Sequence, residues 1–240
     1  MKWEELKVYR PLTKEELKPA FKDFTKIIGD NLEHFGFQLK GRKLQRIKND
    51  VLQTIHIDTR GSWMGISENF ETVISVTPFC NMVFVQGELL GTKKIEEIIP
   101  KIRNHYRVTQ EYKLLADFIT RQTIDYVLDY FDKFNSTKTI YDNSGQFPTD
   151  HVMQGNEAVI IFSELKNRLN KKAEIEIDKV LQHWTNFPIQ EGNYFSGYLH
   201  DLRFYKQKLK NKDWDSINER LTSDEEQVLK KLKLKRSDGR

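Results

Sequence analysis

One cysteine in 240 residues, Cys80, is too few for a disulfide framework or for a zinc cage of thiolates within one chain. No apolar run approaches the roughly 18 residues that a bilayer-spanning helix needs. The leading residues Met1, Lys2, Trp3, Glu4, Glu5, Leu6 and Lys7 lack the apolar stretch of a secretory signal. These absences give the expectation of a soluble, cytoplasmic protein with no membrane segment. His34, His56, His105, His151, His183 and His200 are scattered, with no pair three or four residues apart and no His-Glu-x-x-His, and no carboxylate-rich loop is spaced for calcium. No metal and no cofactor are therefore expected. An excess of one charge is missing as well: the pI is 8.9, yet residues 1–133 and 134–240 each hold only two more cations than anions, so neither half reads as a basic domain.

What is present is a change of period. Thr13 with Glu16 spells a capping box, with Leu12 and Leu17 at the staple positions. Phe21, Phe24, Ile28, Leu32 and Phe35 then form one helical stripe up to Gly36, a natural terminator. Pro19 is expected to split off a leading turn, and Gly29 weakens the stripe. After Gly36 the period falls to two. Residues 41–48, Asn49-Asp50 and residues 51–58 read as a hairpin, Arg60-Gly61-Ser62 as a turn, and residues 63–66, 70–77 and 81–85 as strands of an antiparallel meander. Ile95, Ile98, Ile99 and Ile102 mark a short helix, and a long one runs from about Thr109 to Phe134.

A polar, turn-rich stretch near residues 135–150 divides the chain into an expected α+β domain (1–140) and an expected all-helical domain (141–240). Helices are expected over 157–171, 173–184 and 198–209, a fourth opening at Asp213 or Asp215, and a last one after a second capping box, Ser223 with Glu226. No fixed-period repeat stands out by eye, although paired helices of this length suit a small solenoid-like layer. The last third is blocked by sign: Arg203, Lys206, Lys208, Lys210 and Lys212, then Asp213, Asp215, Glu219, Asp224, Glu225 and Glu226, then Lys230, Lys231, Lys233, Lys235 and Arg236. Antiparallel helices that neutralise these blocks against each other are the expected arrangement.

Phe37, Lys40, Gly41, Leu44, Arg46, Ile47, Asp50, Gln53 and Ile55, with the segment from Phe131 to Phe134, follow a recognisable order. Over residues 15–135 this order resembles a bacterial domain-of-unknown-function family, number four-three-zero-four. The resemblance implies an α+β domain and brings no activity with it.

Several stretches spell chemistry only in part. Residues 36–43 mimic a phosphate loop but follow a helix and enter a strand, the reverse of the order that points backbone N–H groups at phosphates. Glu164-Leu165-Lys166 has the spelling of half a nuclease site, yet its neighbourhood is helical, so an exposed pair is expected. His56 and Asp58 share a strand face with no nucleophile beside them, and Cys80 has no adjacent base.

The hairpin is more informative. A two-residue turn at Asn49-Asp50 puts Arg46 opposite Gln53 and Leu44 opposite Ile55. Arg46 and Gln53 could anchor an anionic or amide group, or Arg46 could lie over the core with Gln53 as its partner. In the second half Trp184, Tyr194, Tyr198 and Arg203 join aromatic and basic character, read as core or protein interface. The leading expectation is a non-enzymatic binding or adaptor protein that recognises another protein mainly through its helical part. The alternative is a nucleic-acid-binding protein using Lys40, Arg42, Lys43, Arg46, Lys48 and the basic C-terminal run, and the third is an enzyme whose site the sequence does not spell out.

Overall fold

A computed structural model describes residues 10–62, 68–79, 92–99, 105–146, 156–185 and 194–234. Helix α1 (Lys14–Leu32) opens with the expected reciprocal cap: the Thr13 N–H donates to the Glu16 carboxylate at 2.9 Å, and the Glu16 N–H donates to the Thr13 hydroxyl at 3.3 Å. Pro19 does not split it. The proline forgoes one bond to the Glu15 carbonyl, and the fully buried Phe24, Ile28 and Leu32 carry the helix past it. Gly29 has a packing reason, because a Cβ there would lie 3.2 Å from the Leu39 side chain. After a 3-10 turn (Glu33–Phe35), Gly36 at φ 85° ends the element.

The sheet is antiparallel, β1 (Gln38–Lys40), β2 (Lys43–Lys48), β3 (Val51–Ser62), β4 (Glu68–Pro78) and β5 (Thr92–Lys94) in that order, with β6 (Tyr106–Arg107) also paired to β4. Two expectations are corrected here. The strand expected from Gly41 starts only at Lys43, and a short strand, β1, precedes it, because Gly41 at φ 63° turns the chain between the two. Arg60-Gly61-Ser62 belongs to β3 and not to a turn: after a register shift beyond Thr59 opposite Phe70, β4 pairs with β3 again at Ser62 opposite Glu68. The expected strands at 63–66 and 81–85, and Cys80, lie outside the described residues.

Alternation fixes the layers. Leu44, Val51, Ile55, Ile57, Phe70, Ile74 and Val76 join the main core with α1, where the Phe24 and Phe70 rings are 5.0 Å apart. On the opposite face Ile47 and Leu52 pack with Phe79 against Val228, close to the end of the last helix.

The remaining elements are α2 (Ile95–Ile98), α3 (Tyr112–Gln122), a π-helical turn (Thr123–Val127), α4 (Leu128–Lys133), α5 (Thr137–Asp142), α6 (Asn156–Lys166), α7 (Asn170–Thr185), α8 (Tyr194–Lys210) and α9 (Trp214–Leu232). This is the expected α+β class, an antiparallel sheet with helices followed by a helical region. The boundary expected at residue 140 falls inside α5, and one connected core runs from Leu12 to Leu221. The second capping box is not used. Ser223 and Glu226 sit within an unbroken α9, which buried Leu221 and Val228 hold to the core on both sides.

The helical half does repeat, with a period of 44 residues. Leu165-Lys166-Asn167-Arg168 ends α6, and Leu209-Lys210-Asn211-Lys212 ends α8. The two corners share one hydrogen-bond pattern. Asn167, Arg168 and Leu169 donate to the carbonyls of Ser163, Leu165 and Glu164, as Asn211, Lys212 and Asp213 do to those of Gln207, Leu209 and Lys208. Arg168 and Lys212 both take positive φ, 59° and 54°. Buried positions keep the same offset: Ala158 and Leu202, Ile161 and Tyr205, Leu165 and Leu209, Ala173 and Ile217, Ile177 and Leu221. The period is nearly silent in sequence because burial is conserved between the copies and residue identity is not.

Candidate functional site

Arg46 and Gln53 meet as the register requires. The Arg46 Nε donates to Gln53 Oε1 at 2.7 Å, and its Nη1 donates to the Phe35 carbonyl at 2.9 Å. Its guanidinium lies over the Phe37 ring at 4.7 Å and beside the Phe131 ring at 5.8 Å, while Nη2 is 3.8 Å from the exposed carboxylate of Asp132. Gln53 turns its amide inward to the Phe131 carbonyl at 2.7 Å and the Phe134 carbonyl at 3.4 Å. Both residues are buried, Gln53 completely, and burial pulls the Arg46 pKa down. This is a bracket: it brings side-chain donors to carbonyls at the ends of the 3-10 turn and α4, where helical partners run out, and the Phe131 carbonyl accepts from the Phe134 N–H as well.

The hairpin turn extends the bracket. The Thr137 N–H donates to Asp50 Oδ1 at 2.9 Å and its hydroxyl to the other oxygen, so Asp50 supplies a negative charge at the start of α5. The Asn49 amide donates to the Asn135 carbonyl at 2.9 Å. Phe37, Arg46, Asp50, Gln53 and the Phe131–Phe134 segment, most of the spelling behind the family resemblance, thus form one structural joint.

The other expected residues do not join it. Trp184 is half-buried against the main core and Tyr198 is 3% exposed within it. Arg203 is exposed on α8, and Tyr194 is the first residue of that helix. His56 faces Val73 across the ladder, and Asp58 faces Glu71, an acid reached by His105 at 3.0 Å and Lys94 at 3.7 Å. The sign blocks neutralise each other only partly. Lys208 pairs with Asp213 at 2.7 Å, but Lys206 turns to Asp178 on α7, and Glu225 takes Lys166 from α6.

The helical half also holds a set of buried acids that no local sequence pattern marks. Glu164, expected at the surface, is 4% exposed, since α6 is buried on more than one side. Burial pushes its pKa up to about 7, aided by Glu176 and opposed by Lys172 and Lys179. Glu157 is 5% exposed, neither of its oxygens has a side-chain partner among the described residues, and burial, opposed only by the backbone N–H of Glu157 itself, raises it to about 7 as well. Its counterpart 44 residues on, Asp201, is 4% exposed and raised to about 6. There the second hairpin supplies a cation: Arg220 reaches Asp201 at 3.0 Å and Asp224 at 3.1 Å. The position equivalent to Arg220 in the first hairpin is Glu176. Glu157 and Asp201 are both acidic at the 44-residue offset, one of the few traces of the repeat in the sequence.

Among the described residues, the corners carry an opening. Two adjoining hollows, of about 450 and 330 Å3, share Arg168, Asn170 and Trp214. Leu169, Leu209 and Ile217 also line them, with Lys171, Lys172 and Lys212 around one and Asp215 and Asn218 around the other. Lys172 is engaged by the Tyr141 hydroxyl and ring. Arg168, Lys171 and Lys212 are exposed, and their side chains make no hydrogen bond or ion pair with a described residue. Trp214 is 40% exposed. The corners differ in one respect: Asp213 accepts from the Ser216 N–H at 3.2 Å and so caps α9, and at the equivalent place before α7 stands Leu169, which has no acceptor.

Comparison of the chain with models of known protein families, with curated proteins and with solved structures gave no match. Among the described residues, no helix is long and apolar enough to cross a membrane, and no group of three or more His, Cys, Asp or Glu side chains is placed to hold a metal ion.

Proposed function

We propose that this chain is a non-enzymatic binding protein that recognises another protein through its helical half. The observation that carries the reading is the pair of tandem helical hairpins, which leave Trp214 and Ile175 exposed, at 40% and 48%, on helices otherwise anchored to the core. Stacked helical hairpins give extended surfaces whose backbone is already ordered, so association immobilises little more than side chains. The sheet half serves as the support, with Arg46, Gln53 and Asp50 locking α4 and α5 to the hairpin.

The nucleic-acid reading draws less support from the geometry. Of the five hairpin cations it needs, Arg46 is buried, Arg42 donates to the Thr59 hydroxyl and stacks on Phe21, and Lys40 donates to the Lys233 carbonyl. Pull-down from a native extract with the full chain as bait, with light scattering of any complex recovered, tests the proposal. A specific partner supports it; a clean monomer that captures nothing counts against it.

A further inference from the structure

We infer that the cleft between the two helical corners binds an acidic segment of a partner protein, one in which an apolar side chain is flanked by aspartates or glutamates. The inference rests on the protein-binding reading and specifies where and by what chemistry it works. Arg168, Lys171 and Lys212 line a cleft with apolar walls and have no anion of their own among the described residues. Of the other cations of the helical half, Lys166, Lys179, Lys206, Lys208 and Arg220 sit in ion pairs, while Arg203, Lys210, Lys230 and Lys231 have none with a described residue; what sets Arg168, Lys171 and Lys212 apart is that they stand together around one apolar-walled cleft. Charge complementarity therefore calls for a ligand that brings carboxylates.

The walls select what those carboxylates accompany. Leu169, Leu209 and the exposed Trp214 offer apolar surface without a dense set of hydrogen-bonding groups, which suits a leucine or phenylalanine better than the polar edge of a nucleobase. Two glutamates or aspartates beside that anchor would meet Arg168 on one corner and Lys212 on the other. Glu174 and Asp215, at the rim, disfavour a partner of uniform negative charge and favour one with spaced acids.

The test uses the full chain and labelled synthetic peptides in which a central leucine or phenylalanine is flanked by acids, read by fluorescence anisotropy. Lysine-flanked versions, a single-stranded oligothymidine and inorganic polyphosphate are the comparison probes. Acid-flanked peptides are expected to bind, more weakly as salt rises, and Arg168→Glu with Lys212→Glu is expected to weaken them about tenfold or more. Trp214→Ala, which leaves the charges alone, weakens them too. Lys230→Glu with Lys231→Glu makes the same charge change outside the cleft and leaves binding within about twofold.

Absence of peptide binding, an equal loss in the Lys230/Lys231 variant, or preference for the oligonucleotide or polyphosphate overturns the inference. Native-extract capture separates it from the broader reading. A partner held equally by the wild type and by the Arg168/Lys212 variant overturns the cleft assignment and leaves protein binding standing. A wild type that binds no peptide and captures nothing overturns both.

Discussion

Replacing Glu157 by glutamine keeps the shape of the side chain and removes its charge. The glutamate is 5% exposed, neither oxygen has a side-chain partner among the described residues, and burial lifts its pKa to about 7 from 4.5 for an ordinary glutamate. Two effects compete. Glu157 lies in the first turn of α6, where the helix dipole favours an anion, but desolvation is the larger effect and wins. A rise from 4.5 to about 7 is worth about 3 kcal/mol at roughly 1.4 kcal/mol per unit.

The sign follows from linkage. Between pH 4.5 and 7 the folded state holds the proton more tightly than the unfolded state, so stability falls as pH rises through that window. Above pH 7 both states are ionised and the whole penalty is present; below 4.5 it is gone. Glu157→Gln is therefore expected to stabilise the protein by up to about 3 kcal/mol near pH 8, and by little near pH 4.5. For a chain of this size that is a rise of about 6–12 °C in melting midpoint at the higher pH. Urea melts of both proteins at the two pH values measure it, and the wild-type-minus-variant difference cancels every other titrating group. A difference that is flat with pH, or a variant less stable at pH 8, refutes the reasoning.

Arg220→Ala leaves Asp201 and Asp224 buried without the cation that spans them, and is expected to cost about 2 kcal/mol near neutral pH, a figure discounted for the partial exposure of the guanidinium. The loss shrinks as pH drops below about 6, where Asp201 takes a proton, and thermal melts at two pH values check it. Arg46→Ala is expected to cost about 3 kcal/mol in denaturant melts, because Gln53 and the Phe35 carbonyl lose their donor inside the protein; Arg46→Lys does not restore the two-pronged contact. Asp50→Ala removes the charge at the start of α5 and is expected to cost about 1–2 kcal/mol by the same assay.

Local signals in the sequence carried much of the fold. The Thr13–Glu16 cap, the Gly36 terminator and the hairpin register, with Arg46 opposite Gln53, depend on neighbouring residues and on period two, and all were legible. The α+β class followed from the change of period after Gly36. Where tertiary context decides, local rules misled. Pro19 sits in a helix that core packing sustains, Ser223 and Glu226 spell a cap that buried Leu221 and Val228 override, and Arg60-Gly61-Ser62 stays extended because β4 is there to pair with it.

The site was less legible than the fold. Whether Arg46 faces a ligand or the Phe35 carbonyl depends on where the end of α1 lies, which no local pattern states. The corner cleft depends on two turns 44 residues apart coming side by side. Its one sequence trace, the Leu-Lys-Asn-basic spelling at 165–168 and 209–212, is four residues long and easily passed over.

Cross-linking mass spectrometry of the full chain with what it captures from a native extract tests the proposed recognition most directly. The prediction is that cross-links to the partner concentrate on lysines of the helical half, around Lys171 and Lys212. Cross-links confined to the sheet half, with lysines 171 and 212 as reactive to a small acylating reagent in the complex as in the free protein, would contradict it.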